Sequence, residues 1–299
     1  SYPFTAISLT FHIIPFFRLP HPILCQACQA GNLEAVKIIL EAGANPNHFD
    51  VVFFAFLTNV SLYLTNLLFI IYIAPIHYGA GKLEILKLLH EKGGDINLFD
   101  LVSLGLTCLI FINKKTPLFY AVDENSVDSV KYLLENHVDP NVSCTDGIYL
   151  SNFYRTPLHE AAERGCVEIV DALIEAGADV SKHNWSYITP LHLAASYGRY
   201  DVVQSLVEHD APLDARDSKG NTPLHDASRN NQSEIVSYLI SKKANHLILN
   251  NEGYKAFEIA PEPLKSELTE YVIDNLMTTS KSRSLRLSQA LKSVNLNDD

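Results

Sequence analysis

The chain has 299 residues, a formal net charge of −11 and 47% hydrophobic residues. So apolar a composition excludes wholesale disorder, and the negative balance argues against unassisted binding to nucleic acid or to an anionic membrane. Five cysteines without framework spacing point to a reduced intracellular compartment, the cytoplasm with the nucleus left open, and not to secretion.

Residues 1–22 are apolar and aromatic and contain Pro3, Pro15 and Pro20 before Pro22. They lack a basic start and a clean small-residue cleavage site, so a signal peptide reads weakly and an irregular, poorly packed arm is expected. The chain opens on Ser1 and not on Met, as a fragment would. From Ile23 a helical pattern begins, and Gly31-Asn32-Leu33-Glu34-Ala35-Val36 leads through Leu40 to Gly43, a helix stop. Cys25 and Cys28 fall in the first of these helices. Without a second cysteine pair or a redox context they read as core, not as a zinc site.

A second unit starts at Pro75-Ile76-His77 and ends near Gly93-Gly94-Asp95. Its Gly79-Ala80-Gly81-Lys82 is no phosphate loop, because Ile76 stands where the first Gly is needed and Leu83 where Ser or Thr is. A third runs from Thr116-Pro117-Leu118 to Asp139-Pro140-Asn141, with Phe119 in place of a histidine. Then a phrase returns three times: Thr156-Pro157-Leu158-His159, Thr189-Pro190-Leu191-His192 and Thr222-Pro223-Leu224-His225, 33 residues apart each time. A period of that size is the signature of a solenoid. Within one period the Thr hydroxyl can cap a helix start, and Pro suits the first helical position. Leu158, Ala161 and Ala162 give a narrow face for a close neighbour, and Gly165 ends the helix. Val167, Ile169, Val170, Leu173 and Ile174 then predict a second helix, stopped at Gly177. Ala256-Phe257-Glu258-Ile259-Ala260 is a worn copy one period after Pro223, and Leu264 to Leu276 predicts a closing helix.

The run Thr156 to Val180 resembles the ankyrin repeat almost residue for residue, and phrase, period and helix pairing agree over three consecutive units. The resemblance implies an all-α solenoid of stacked helix-turn-helix units with hairpin-like loops projecting between them. The expected array covers residues 23–277, about six repeats and a degenerate C-terminal cap. A basic, Ser-rich tail over 278–299 is expected to be disordered. Kinase sites at Ser284 or Ser288, and a short amphipathic helix over Leu285 to Leu291, are the alternatives there.

Three junctions break the period. Measured against the 13-residue step from Gly177 to Pro190, Gly43 to Pro75 carries 19 more residues, Gly93 to Pro117 carries 11 more, and His137 to Pro157 seven more. All fall in the inter-repeat loop, where a solenoid tolerates extra chain. The shortest lies near 147–154. The second contains Leu101 to Ile112, too short to cross a bilayer. The first contains Val51 to Ile73, 23 uncharged residues, long enough to do so as a helix. Three readings stand: a transmembrane span, which would make the chain a membrane-anchored repeat protein; a packed extra helix; and translated intervening sequence, since all three inserts are of unrelated length and of similar composition.

Twelve histidines invite a catalytic or metal reading. His77, His159, His192 and His225 recur one repeat apart, however, which places them in a ladder and not around one atom; in the family this position ties one loop to the next. No nucleophile–base set, metal spacing or phosphate loop survives, so no enzyme activity and no cofactor is expected. What remains is binding. By the family pattern that the resemblance implies, positions between the recurring ones are free to read a partner: Glu163 and Arg164; Trp185, Ser186, Ile188, Ser196 and Tyr197; Ser218, Lys219, Asn221, Arg229 and Asn230. Trp185 is the single tryptophan, and its loop position predicts either exposure as a hot spot or packing over Tyr187. Asp123, Glu124, Glu163 and Asp226 add negative charge to the same face, which favours a basic peptide or basic protein patch. The expectation is a monomeric, non-catalytic adaptor that binds a protein through the concave face and loop tips of the array, and no nucleic acid. A substrate-recruiting subunit of a larger enzyme such as a ubiquitin ligase is a further alternative.

Overall fold

The computed structural model describes residues 12–14, 23–57, 67–104, 110–111, 115–145, 153–262 and 265. Six antiparallel helix pairs follow one another: α1 (Ile23–Ala30) with α2 (Leu33–Glu41), α3 (Pro75–Gly79) with α4 (Leu83–Glu91), α5 (Pro117–Asp123) with α6 (Val127–Glu135), α7 (Pro157–Arg164) with α8 (Val167–Glu175), α9 (Pro190–Ser196) with α10 (Tyr200–Glu208), and α11 (Pro223–Arg229) with α12 (Ser233–Ser241). A 3-10 turn over Ala256–Ile259 occupies the place of a seventh first helix. First helices stack on first helices from α1 to that turn, and second helices on second helices from α2 to α12. The closing helix expected over Leu264 to Leu276, the tail over 278–299 and most of the arm over 1–22 lie outside the described residues.

The stacking follows from side-chain size. Ala161, Ala162, Ala194, Ala195 and Ala227 are fully buried between first helices, where nothing larger would let the backbones approach as closely. Leu158, Leu191 and Leu224, with Ile169, Leu173, Leu206, Ile235 and Leu239 from the second helices, form one continuous core along the stack. Cys25 and Cys28 are buried in that core, and burial pushes both thiols up to about 12, so they behave as small apolar side chains.

Between pairs the chain makes a hairpin with a constant base. Asn184 N–H donates to Ile188 O at 3.0 Å, and Ile188 N–H returns to Asn184 Oδ1 at 3.0 Å. Asp217 with Asn221 and Asn250 with Tyr254 repeat the arrangement, each four residues apart. The three inserts sit at the tips of such hairpins. Asp50 pairs with Ile73, Asp100 N–H donates to Lys115 O, and Cys144 pairs with Arg155. Those steps are 23, 15 and 11 residues, exceeding four by 19, 11 and seven, the excesses counted from the sequence. From the N-terminus, the hairpins are therefore Asp50–Ile73, Asp100–Lys115, Cys144–Arg155, Asn184–Ile188, Asp217–Asn221 and Asn250–Tyr254.

The described parts of the inserts are strands. β2 (Asp50–Leu57) pairs with β3 (Leu67–Ile73), which pairs with β4 (Leu101–Leu104) of the next hairpin, and β4 pairs with β5 (Ile110–Phe111). β1 (His12–Ile14), in the arm that was expected to be irregular, joins the free edge of β2, with His12 opposite Leu57. All neighbours in this five-stranded sheet run antiparallel. β6 (Cys144–Thr145) and β7 (Phe153–Arg155) form the third extended hairpin. The helical readings of Val51–Ile73, as a span or as a packed helix, are thereby corrected over the described residues 51–57 and 67–73. Both parities of β2 and β3 are apolar, so neither period nor length separates a strand pair from a helix in that run. Among the described residues no helix is long and apolar enough to cross a membrane.

Candidate partner-binding face

Each first helix is pinned to the following hairpin by its histidine. His159 Nδ1 accepts from Thr156 N–H at 3.2 Å and from the Thr156 hydroxyl at 2.8 Å, and Nε2–H donates to Ile188 O at 3.0 Å. His192 does the same between Thr189 and Asn221 O, and His225 between Thr222 and Tyr254 O. His77 has Ala74 before it, so it keeps the backbone bond and reaches Leu98 O without a hydroxyl partner. The imidazole thus takes the part that Glu or Gln plays in a capping box, and the Thr hydroxyl serves the ring. Burial pushes His77 down to about 4 and His159 to about 3, and lowers His192 and His225 as well. These are neutral frame residues. Among the described residues no group of three or more His, Cys, Asp or Glu side chains could hold a metal ion.

A second set of rungs was not read from the sequence. Asn47 Nδ2 donates to Gly93 O, and its Oδ1 accepts from Asp95 N–H; Asn141 bridges to Gly177 O and Asp179 N–H in the same way. Both asparagines close the triplet that follows a second helix, Asn45-Pro46-Asn47 and Asp139-Pro140-Asn141. That shared spelling was the available signal.

The expected contact residues fall in two groups. At the ends of the first helices, Glu163 pairs with the buried Arg155, which also meets Glu160, and the Glu163 carbonyl accepts from Arg199 Nε. Arg164 pairs with Asp123 and with Glu160. Ser196 Oγ accepts from Asn230 Nδ2 at 2.9 Å, and Arg229 reaches Asn221 Oδ1 and Asp226. Tyr197 is 51% exposed beside Glu163. Along the hairpin tips, Ser186 O accepts from Ser218 N–H, and Lys219 O and Ser218 O accept from Asn251. Ile188 is half-buried under its bond from His159. Asn221 is buried, its amide oxygen shared by Arg229 and Asn250, and so belongs to the frame.

Trp185 is 60% exposed and stacks on Tyr154 of the preceding hairpin, with ring centroids 6.1 Å apart and 21° between planes. Tyr187, which the packing alternative placed under Trp185, stacks instead on His183 at 4.7 Å. Between the pairs lies a cleft of about 470 Å³ lined by Ser143, Tyr154, Lys182, His183, Asn184, Trp185 and Tyr187. Tyr154 and His183 were not among the expected contacts, because the former sits at the end of an insert whose register the sequence does not give.

Stacked helix pairs, a continuous core and projecting hairpins tied base to base define a helical repeat solenoid with its loop tips on one edge. The sequence profile of the ankyrin repeats (three copies) matches residues 71–184 and 158–251, and a single ankyrin repeat matches 22–51. The chain belongs to the ankyrin-repeat family. It is similar to the BRCA1-associated RING domain protein 1 of Caenorhabditis elegans, with 37% identity over 70 residues, 23% of this chain and 9% of that protein. The crystal structure of the human ASB11 ankyrin repeat domain matches with a TM-score of 0.60 and 25% identity over 82% of this chain and 93% of that one.

Proposed function

We propose that the chain is a non-catalytic adaptor that grips a protein through the exposed ends of its first helices and its hairpin tips. The observation that carries this reading is the exposure of Trp185, Tyr197 and Arg229 on a frame whose histidines are bonded internally. Exposed Trp, Tyr and Arg dominate binding energies in protein interfaces. The net charge of −11, with Asp123, Glu124 and Glu163 gathered near one another, favours a basic peptide or patch as partner. Asp123 and Glu163 already pair with Arg164 and Arg155, so a basic partner exchanges ion pairs more than it creates them. The working state is a monomer in the cytoplasm.

Trp185→Ala combined with Tyr197→Ala tests the assignment in the full chain. Capture of a partner should weaken by about tenfold or more, with the melting temperature shifted by only about 2 °C or less because both side chains are exposed. Unchanged capture removes these residues from the site.

A further inference from the structure

We propose that the cleft between the third and fourth hairpins is a docking site for an extended, proline-containing peptide flanked by acidic residues. It goes beyond the basic partner of the first-helix ends, and rests on the adaptor reading only in taking the tips as partner-facing.

Four hairpins share a position that immediately precedes the last residue of the hairpin base and has a left-handed backbone: Tyr154 at φ +66°, Tyr187 at +59°, Gly220 at +76° and Gly253 at +85°. Glycine is the residue that adopts this conformation without strain, and two hairpins use it. The two neighbouring ones carry tyrosine, an aromatic in a region disfavoured for bulky side chains. Neither ring is spent on the core: Tyr154 is 48% exposed and Tyr187 56%. Strain kept at adjacent exposed positions points to use and not to folding.

What the cleft offers decides what it takes. The fourth hairpin's backbone is closed on itself: Ser186 and Ile188 N–H donate to Asn184 Oδ1, Tyr187 N–H to Asn184 O, and Asn184 N–H to Ile188 O. On this hairpin an incoming strand would find no ladder to join. Flat aromatic faces and phenolic hydroxyls remain. Polyproline II segments need no partner hydrogen bonds of their own and dock on such aromatic-lined grooves. Lys182 supplies a cation to the lining, His183 an imidazole, and none of the described lining residues is a carboxylate. The nearby Asp179, outside the described lining, bonds Ser181 and also faces Lys182. The charge therefore favours Asp or Glu beside the prolines.

Trp185 is the single tryptophan, so its emission reports occupancy of the cleft directly. The full chain is titrated with a synthetic decapeptide holding a Pro-x-x-Pro core between aspartates, with the same peptide carrying Ala for Pro, and with Lys for Asp. A saturable emission change is expected for the first peptide, with affinity lower by about tenfold for each of the others. Tyr154→Gly with Tyr187→Gly should lower affinity by at least as much while leaving the melting temperature unchanged or raised, because glycine suits both backbones. No saturable change, equal binding of the Ala or Lys peptide, or full affinity in the glycine variant overturns the proposal. Partner capture that depends on Tyr197 or Arg229 would survive any of these results, so the two readings fail separately.

Discussion

His159 can accept Thr156 N–H only while its Nδ1 carries no proton, and burial holds it that way well below neutrality. An unfolded chain lets the same side chain protonate near its ordinary value of about 6.5. Between that value and the lowered folded one the unfolded state binds more protons, so stability rises with pH across the interval and is lost as pH falls from about 6.5 toward 4. His77, His192 and His225 act in the same direction. Asp226 opposes them: burial, then Asp217, pushes its carboxyl up to about 7, so its contribution is largest in acid and is lost as pH rises through that value. Denaturant melts at a series of pH values should show a plateau above about pH 7 and a fall below 6.5, each histidine adding about 1.4 kcal/mol per pH unit where its shift is complete. His159→Asn should make the slope shallower. A pH-independent midpoint between 4 and 7 would contradict the assignment. The third unit gives an internal contrast. Phe119 replaces the histidine, and the buried Thr116 hydroxyl has no partner among the described residues. Thr116→Val should be neutral or stabilising, whereas Thr156→Val, which removes a donor from His159, should cost about 1 kcal/mol.

At the scale of the element, the hairpin base and its tip separate. Asp100 and Lys115 close an extended hairpin with the same two bonds that Asn184 and Ile188 use for a short one. Removing residues 102–112, with Lys114→Gly for the left-handed position, restores the four-residue step. The helical circular dichroism and melting temperature should then stay near those of the parent; loss of the cooperative transition would mean that the sheet, not the stack, holds these units together. Gly165 is a sharper case. Its φ is +89°, and an added Cβ would lie 2.6 Å from Arg199 Cδ, whose guanidinium bonds Glu163 O across the repeat boundary. Gly165→Ala should lower stability by about 1–2 kcal/mol through backbone strain and a displaced Arg199. The repeat length, the histidine ladder and the residue counts of the inserts were legible in the sequence because each is a spacing along the chain. The strands within the inserts were not, because Val51–Leu57 and Leu67–Ile73 are apolar at every parity. The Tyr154–Trp185 stack was not legible either, since it joins two hairpins through a register that only the folded Cys144–Arg155 base sets.

Across the whole molecule, the frame and the proposed gripping surface use largely different side chains. Buried alanines, leucines and histidines join each pair to the next, so the stack should stand without a partner, and the proposed contacts are the exposed rings and charges at the tips and first-helix ends. Hydrogen exchange on the full chain, alone and with a captured partner, measures that division directly. The account predicts slow exchange in α5, α7, α9 and α11 and at the hairpin-base amides of Asn184, Ile188, Asp217 and Asn221 in both states, with partner-induced slowing confined to the tips around Trp185 and Ser218 and the helix ends at Tyr197 and Arg229. Partner-induced protection on the outer faces of α8, α10 and α12, with none at the tips or first-helix ends, would contradict it.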